Sequence, residues 1–166
     1  MSSPYLQFEK DSPEYQALLD WWRGLDKDRG ERAVLRRAAT PSEVIFCRAY
    51  HRLRLDVSRN GSVDFEGLAL VAGLVARVKV NRDGVTIAEQ MATGRADGSA
   101  KVSGLRFRRL LKVKEHDDLF TSMRRIVALL DAAVNLQSLA KSVYRWNDRC
   151  RKELAFQYYT KAPNEK

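Results

Sequence analysis

The chain has 166 residues, of which 45% are hydrophobic and 31% charged, a composition typical of folded globular proteins and unlike that of disordered chains. No apolar run approaches the roughly 18 to 20 residues that a membrane span needs, and the polar N-terminus lacks the apolar core of a signal peptide, so we expect a cytoplasmic protein. The net charge of +9 favours a polyanionic partner.

Arginine supplies most of the positive charge, which is concentrated in the second half of the chain. There are 20 arginines and 10 lysines. Residues 1–83 carry 14 basic and 12 acidic side chains, whereas residues 84–166 carry 16 and 9. Because the planar guanidinium suits bidentate phosphate contacts and stacking on bases, this composition favours a nucleic acid as the partner. Charge alone does not identify it.

Apolar residues recur at helical spacing along the whole chain, and no long strand alternation interrupts them, which predicts an all-α fold. Ser12 and Thr40 each precede a proline and predict capped helix starts. Asp64 predicts another, before a helix of about residues 65–79. That helix is apolar nearly all round, so we expect it to be the buried centre of an N-terminal bundle.

Between residues 81 and 103 the composition shifts to glycine and polar residues, which predicts a connector with at most one short helix near residues 87–92. Three more helices are expected at about residues 104–114, 117–133 and 135–159. Asp117 and Asp118 suit a helix N-terminus, where the macrodipole favours negative charge. The predicted architecture is two small helical bundles in series, residues 1–80 and 104–166, joined by the Gly-rich connector at 81–103.

Three helical segments separate cations from apolar side chains when residues are placed at about 100° per position. We call their cationic faces the N-terminal, central and C-terminal ridges. The N-terminal ridge contains Arg29, Arg32 and Arg36, with Arg37 at its margin. The central ridge contains Arg108, Arg109 and Lys112, with Arg106 in the same segment and Phe107, Leu110 and Leu111 opposite. The C-terminal ridge contains Lys141, Arg145, Arg149 and Lys152, behind an apolar stripe of Leu136, Leu139, Val143, Trp146, Cys150 and Leu154.

One such ridge alone is most simply a solvated helix face. Three arginine-rich ridges with few nearby acids favour nucleic-acid phosphate. A membrane surface is the weaker alternative, because the narrow apolar faces are needed to build the bundles. The sequence contains no helix-turn-helix spacing, zinc-finger ligands or aromatic RNA-recognition motif, so we expect binding to follow the backbone without base readout.

The strongest enzymatic candidate is a metal site of the kind found in all-helical phosphohydrolases. It would combine His116 and Asp117 with His51 and either Asp131 or Asp148. We consider it weak, because the aspartates at 117 and 118 already have a role as helix-start residues and the chain has only 2 histidines. The two cysteines, at positions 47 and 150, are expected to be buried thiols. We therefore expect no catalytic site, metal, cofactor or small-molecule substrate.

Four stretches resemble the CasB small-subunit family of the type I-E CRISPR surveillance complex, Cascade. They are "WWRGLDKDRGERAVLRRAATPSEV", "FRRLL", "DDLFTSMRRIVALL" and "YRWNDRCRKELAFQYY". Their order and approximate spacing match from about residue 18 to residue 159. "RGERAVLRR" and "FRRLL" are the specific motifs.

The resemblance implies an all-helical, non-catalytic subunit, present in two copies beside other Cascade subunits and the guide RNA. Its basic surface would hold the target DNA opened by the guide, including the displaced non-target strand. The family's arginine motifs fall on Arg29, Arg32, Arg36, Arg37, Arg108, Arg109, Arg124 and Arg125. The last two could instead pair with Asp131 or Glu115.

Together with the ridges, the resemblance predicts DNA contacts at Arg29, Arg32, Arg36, Arg37, Arg106, Arg108, Arg109, Lys112, Arg124, Arg125, Lys141, Arg145 and Arg149. The alternative is a purely architectural subunit whose arginines contact acidic faces of neighbouring subunits or the guide RNA.

Overall fold

Helices dominate residues 6–162, which are the residues that this computed structural model describes. They are α1 (Pro13–Gly24), α2 (Arg29–Arg37), α3 (Pro41–Ile45), α4 (Arg48–Val57), α5 (Phe65–Val75), α6 (Ile87–Ala92), α7 (Gly104–Leu111), α8 (His116–Leu129), α9 (Leu136–Tyr144) and α10 (Asp148–Lys161). Short 3₁₀ turns cover Leu25–Lys27 and Ser58–Asn60. The predicted all-α class is confirmed. Within the described range, each helix is too short or too polar to cross a membrane.

The predicted helix starts are confirmed by their caps. The Tyr15 backbone N–H donates to Ser12 Oγ at 3.2 Å, and the Glu43 N–H donates to Thr40 Oγ1 at 3.2 Å. Asp64 Oδ1 accepts from the N–H of Gly67 at 3.3 Å. Each cap satisfies one of the N–H groups that lack a partner in the first helical turn.

Helix α5 is the buried central helix that its apolar sequence predicts, although it ends at Val75 rather than near residue 79. Every residue from Gly67 to Val75 is buried. The helix packs against α3, α8 and α9, so one hydrophobic cluster contains side chains from both halves of the chain. The division into bundles on either side of residues 81–103 stays a prediction.

The connector contains α6, as predicted, and one feature that the sequence did not reveal. Strand β1 (Val80–Asn81) pairs in parallel with β2 (Ala133–Val134). Two residues per strand are too few to show an alternating pattern. The Asn135 N–H donates to Gln90 Oε1 at 3.1 Å, and the Asn135 side chain donates to the Val85 carbonyl at 2.8 Å. The connector is thereby fixed to the segment that enters α9.

The predicted long helix over residues 135–159 is wrong, because the chain forms α9 and α10 with a break at residues 145–147. Arg145 leaves the helical region with φ −128° and ψ 75°. Asn147 begins α10 by accepting a hydrogen bond from the Cys150 N–H at 3.0 Å. Trp146, inside the break, donates from its indole to the Val113 carbonyl at 2.7 Å. The apolar spacing continues across the break and conceals it.

Two other predicted helices are also shorter. The predicted 104–114 helix ends at Leu111, and the predicted 117–133 helix ends at Leu129. Asp131 and Ala132 then adopt positive φ values of 59° and 58°, which a right-handed helix does not contain. The turn that they form directs the chain into β2.

We predict that Gly73→Ala destabilises the protein. A Cβ there would lie 2.6 Å from Phe120 Cε2 and 2.8 Å from Val44 Cγ2, and overpacking of this kind costs about 1–3 kcal/mol. The melting temperature should fall by about 2–4 °C per kcal/mol in a chain of this size. Gly24→Ala is the matched control, because a Cβ at that helical position meets nothing within 4 Å. Equal melting temperatures for the two variants would contradict the close contact between α5 and α8.

Candidate nucleic-acid interface

Two arginines of the N-terminal ridge bind the polypeptide at the C-terminal end of α5. Arg32 donates from Nη2 to the Val78 carbonyl at 2.7 Å and from Nε to the Ala76 carbonyl at 3.3 Å, and it pairs with Asp26 Oδ1 at 2.5 Å. Arg36 Nε donates to the same Ala76 carbonyl at 3.1 Å. Carbonyls at a helix C-terminus lack helical partners and carry partial negative charge, so cations are stabilised there. These guanidiniums thus contribute to folding.

Arg29 and Arg37, the other two residues of this ridge, are exposed. All four arginines line one open hollow on α2, of about 460 Å³. Among the described residues, neither Arg29 nor Arg37 makes an ion pair. The N-terminal ridge therefore combines two arginines anchored to protein with two that are available to a partner.

The structure adds Arg77 to this region, a residue that the sequence analysis missed. It follows α5, and its Nη2 donates to the Ala38 carbonyl at 2.9 Å. Its guanidinium carbon lies 5.8 Å from the centroid of the Phe120 ring, and that of Arg124 lies at the same distance. Burial, then the charges of Arg124 and Arg36, lowers the Arg77 pKa to about 10. The group therefore stays charged at neutral pH.

A signal for Arg77 was present in the sequence. It is the first charged residue after the long apolar run of α5. A cation at that position is stabilised by the partial negative charge of the helix C-terminus. Its neighbours are Ala38, which follows α2, and Phe120 of α8, so these contacts of Arg77 could not be derived from local spacing.

The central ridge lies on α7 and on Lys112, the residue that follows this helix. Phe107 and Leu110 are buried, and the Phe107 ring stacks on Tyr158 of α10 with centroids 3.9 Å apart. The cations at positions 106, 108, 109 and 112 are exposed. Of these, Arg109 and Lys112 make no ion pair with a carboxylate in residues 6–162. Helix α7 is therefore anchored by its buried apolar face and presents these two cations without a neutralising carboxylate from the described chain.

The C-terminal ridge is interrupted by the break between α9 and α10. Lys141, Arg145 and Arg149 still line one hollow, but Glu9 and Glu153 line it too. Lys141 Nζ lies 3.0 Å from Glu9 Oε1, and Arg149 Nε lies 3.8 Å from Glu153 Oε1. Lys152 borders a separate apolar hollow on α10. The positive charge of this ridge is partly neutralised within the chain.

Arg124 and Arg125 lie on α8, half-buried and exposed respectively. The pairing with Asp131 that the sequence left open is not found, since Asp131 instead lies 3.4 Å from Lys101 Nζ. Within residues 6–162, Glu115 forms no ion pair with either arginine. Arg124 and Arg77 both lie 5.8 Å from the centroid of the Phe120 ring, so α8 adds a cation beside the N-terminal ridge.

The two histidines lie in separate environments. His51 Nε2 is 2.6 Å from the Ile45 carbonyl, whereas His116 Nδ1 is 2.8 Å from Glu66 Oε2. In the described part of the chain, no group of three His, Cys, Asp or Glu side chains could hold a metal ion. Cys47 is buried and Cys150 half-buried, and burial raises the pKa of both thiols.

These features define a helical, strongly basic protein that presents its cations on exposed helix faces. Residues 31–159 match the family model of the CRISPR-associated protein Cse2, and the chain belongs to this family. The crystal structure of CasB from Thermus thermophilus matches with a TM-score of 0.65 and 26% sequence identity, covering 90% of this chain and 99% of that one. No curated protein matches. The resemblance to the small subunits of type I-E Cascade is confirmed, and the family places the chain as a structural subunit in CRISPR defence.

We predict that Arg32→Ala lowers the free energy of unfolding by about 1–3 kcal/mol, because it removes two hydrogen bonds, one to the Ala76 carbonyl and one to the Val78 carbonyl, each worth about 0.5–1.5 kcal/mol. Arg29→Ala, on the same helix but exposed, removes the same charge and should change stability by less than about 0.5 kcal/mol. Urea denaturation of both variants measures the difference. Equal losses would show that Arg32 does not stabilise the end of α5.

Proposed function

We propose that this small subunit holds the backbones of target DNA opened by the guide RNA, including the displaced non-target strand, and that it does so without catalysis or a cofactor. The observation that carries the proposal is the central ridge. Its exposed cations Arg109 and Lys112 make no ion pair with a carboxylate of residues 6–162, and the buried face of α7 anchors the helix that carries Arg109 and ends just before Lys112.

Backbone contacts suit this role because opening DNA by guide pairing is nearly balanced in free energy. The heteroduplex that forms is about as stable as the duplex it replaces, so modest protein contacts decide how long the open state lasts. Phosphate contacts release counterions and do not depend on sequence. A subunit that must accept any target therefore needs cations rather than base-reading side chains.

The ridges should contribute unequally. In the N-terminal ridge, Arg29 and Arg37 are exposed, and Arg125 of α8 is exposed too. In the C-terminal ridge, Glu9 and Glu153 neutralise part of the charge. We therefore assign the main DNA contacts to the central and N-terminal ridges and a weaker one to Lys141, Arg145 and Arg149.

The proposal also includes the assembly in which the subunit acts. The subunit would act in the cytoplasm, in two copies, beside other Cascade subunits and the guide RNA. A purely architectural role, in which the same arginines bind acidic faces of those subunits, predicts loss of assembly after charge reversal. DNA holding predicts normal assembly and a shorter-lived open complex.

The test compares two double variants in the reconstituted guide-RNA complex. Arg109→Glu/Lys112→Glu should shorten the lifetime of opened target DNA by about tenfold or more, because two phosphate contacts become repulsions. Arg23→Glu/Arg59→Glu makes the same change in net charge at exposed positions outside the ridges and should leave the lifetime unchanged. Incorporation of each variant is measured first.

Two results would contradict the proposal. An unchanged lifetime with normal incorporation of the α7 variant would remove the central ridge from DNA holding. Failure of that variant alone to enter the complex would support the architectural role.

A further inference from the structure

We infer that Arg36, Arg77 and Arg124 form a single anion site that takes one phosphodiester group of the nucleic-acid backbone. This inference rests on the proposed function and deepens it, because it assigns a defined subsite and brings in Arg77. The three residues come from α2, the turn after α5, and α8.

Contacts between these three segments bring the guanidiniums together. Arg36 Nε is 3.1 Å from the carbonyl of Ala76, the residue that precedes Arg77. Arg77 Nη2 in turn donates to the Ala38 carbonyl, which follows α2, at 2.9 Å. Arg77 and Arg124 both lie 5.8 Å from the centroid of the Phe120 ring. Arg77 and Arg124 thus share one buried aromatic ring, and Arg36 lies at the helix end beside Arg77.

The cluster is under-compensated by protein groups. None of the three guanidiniums forms an ion pair with a carboxylate of residues 6–162. Arg77 Nε is buried and has no hydrogen-bond acceptor. Burial lowers the Arg77 pKa, and the positive charges of Arg124 and Arg36 lower it further, because like charges repel. The ring face and the carbonyls after α5 offset part of this cost.

A bound anion would offset the repulsion between the three guanidiniums. A phosphodiester suits the site because its two non-bridging oxygens and delocalised charge match guanidinium forks. The exposed cations Arg29, Arg37 and Arg125 lie on the same helices, α2 and α8. A polymer of phosphates can use all of these cations at once, whereas a lone protein carboxylate can use only the cluster.

The experiment uses the salt dependence of target-DNA affinity in the reconstituted complex. The slope of log affinity against log salt concentration is negative. Each lost phosphate contact reduces its magnitude by about 0.7 on single strands and about 0.9 on duplex. We expect Arg77→Gln and Arg124→Gln each to reduce the magnitude of the slope by about this amount for every subunit copy that contacts DNA. Because both arginines bind the same phosphate, the slope of the double variant should be reduced no more than that of either single variant.

The control is Arg59→Gln. It removes one exposed positive charge beyond α4, near the N-terminal rather than the C-terminal end of α5, and should leave the slope unchanged. If Arg77→Gln does not fold, Arg36→Gln combined with Arg124→Gln provides the same comparison.

Two outcomes would overturn the site while leaving the proposed function intact. Losses of slope that add in the double variant would show separate phosphate contacts. Unchanged slopes with poor incorporation of the variants would show that the cluster binds a protein carboxylate. Failure of the proposed function is distinguishable, because it would appear in the central-ridge variants, whose cations lie outside this cluster.

Discussion

Helix α5 is buried from Gly67 to Val75, and the carbonyls that follow its C-terminal end receive hydrogen bonds from side chains distant in sequence. Trp22 and Arg32 donate to the Val78 carbonyl, and Arg32 and Arg36 donate to that of Ala76. A buried helix end without such donors would be costly. This requirement fixes α2 against α5 and brings arginines into the middle of the fold.

The same requirement explains why arginine rather than lysine occupies α2. A guanidinium has several donors in one plane, so Arg32 can bind two carbonyls and Asp26 at once. Arg36 uses only part of its guanidinium in this way, because it donates to the Ala76 carbonyl through Nε. Stability and anion binding therefore draw on the same side chains, and the helix end that attracts these cations also holds them together near Arg77.

Local signals in the sequence predicted the helical class, the capped starts at Ser12, Thr40 and Asp64, and the buried centre. They failed where the deciding contact is distant. Asn147 is a good helix cap, but the break before it is fixed by Trp146 binding the Val113 carbonyl, 33 positions away. The pairing of β1 with β2 and the position of Arg77 beside Phe120 depend on tertiary packing in the same way. The exposed cations of α7 were predictable because the apolar residues that define the opposite, buried face lie on the same helix.

The central ridge and the arginine cluster thus differ in how folding and binding are coupled. At α7, Phe107 and Leu110 are buried, while Arg109 and the following Lys112 make no ion pair with a carboxylate in the described chain. Charge changes there can alter binding without altering the fold. Around α5, an arginine that leaves its carbonyl to meet a phosphate weakens a helix end, so affinity and stability are linked. When a substitution in α2 changes DNA affinity, the stability of the same variant must therefore be measured as well, so that lost binding can be separated from lost folding.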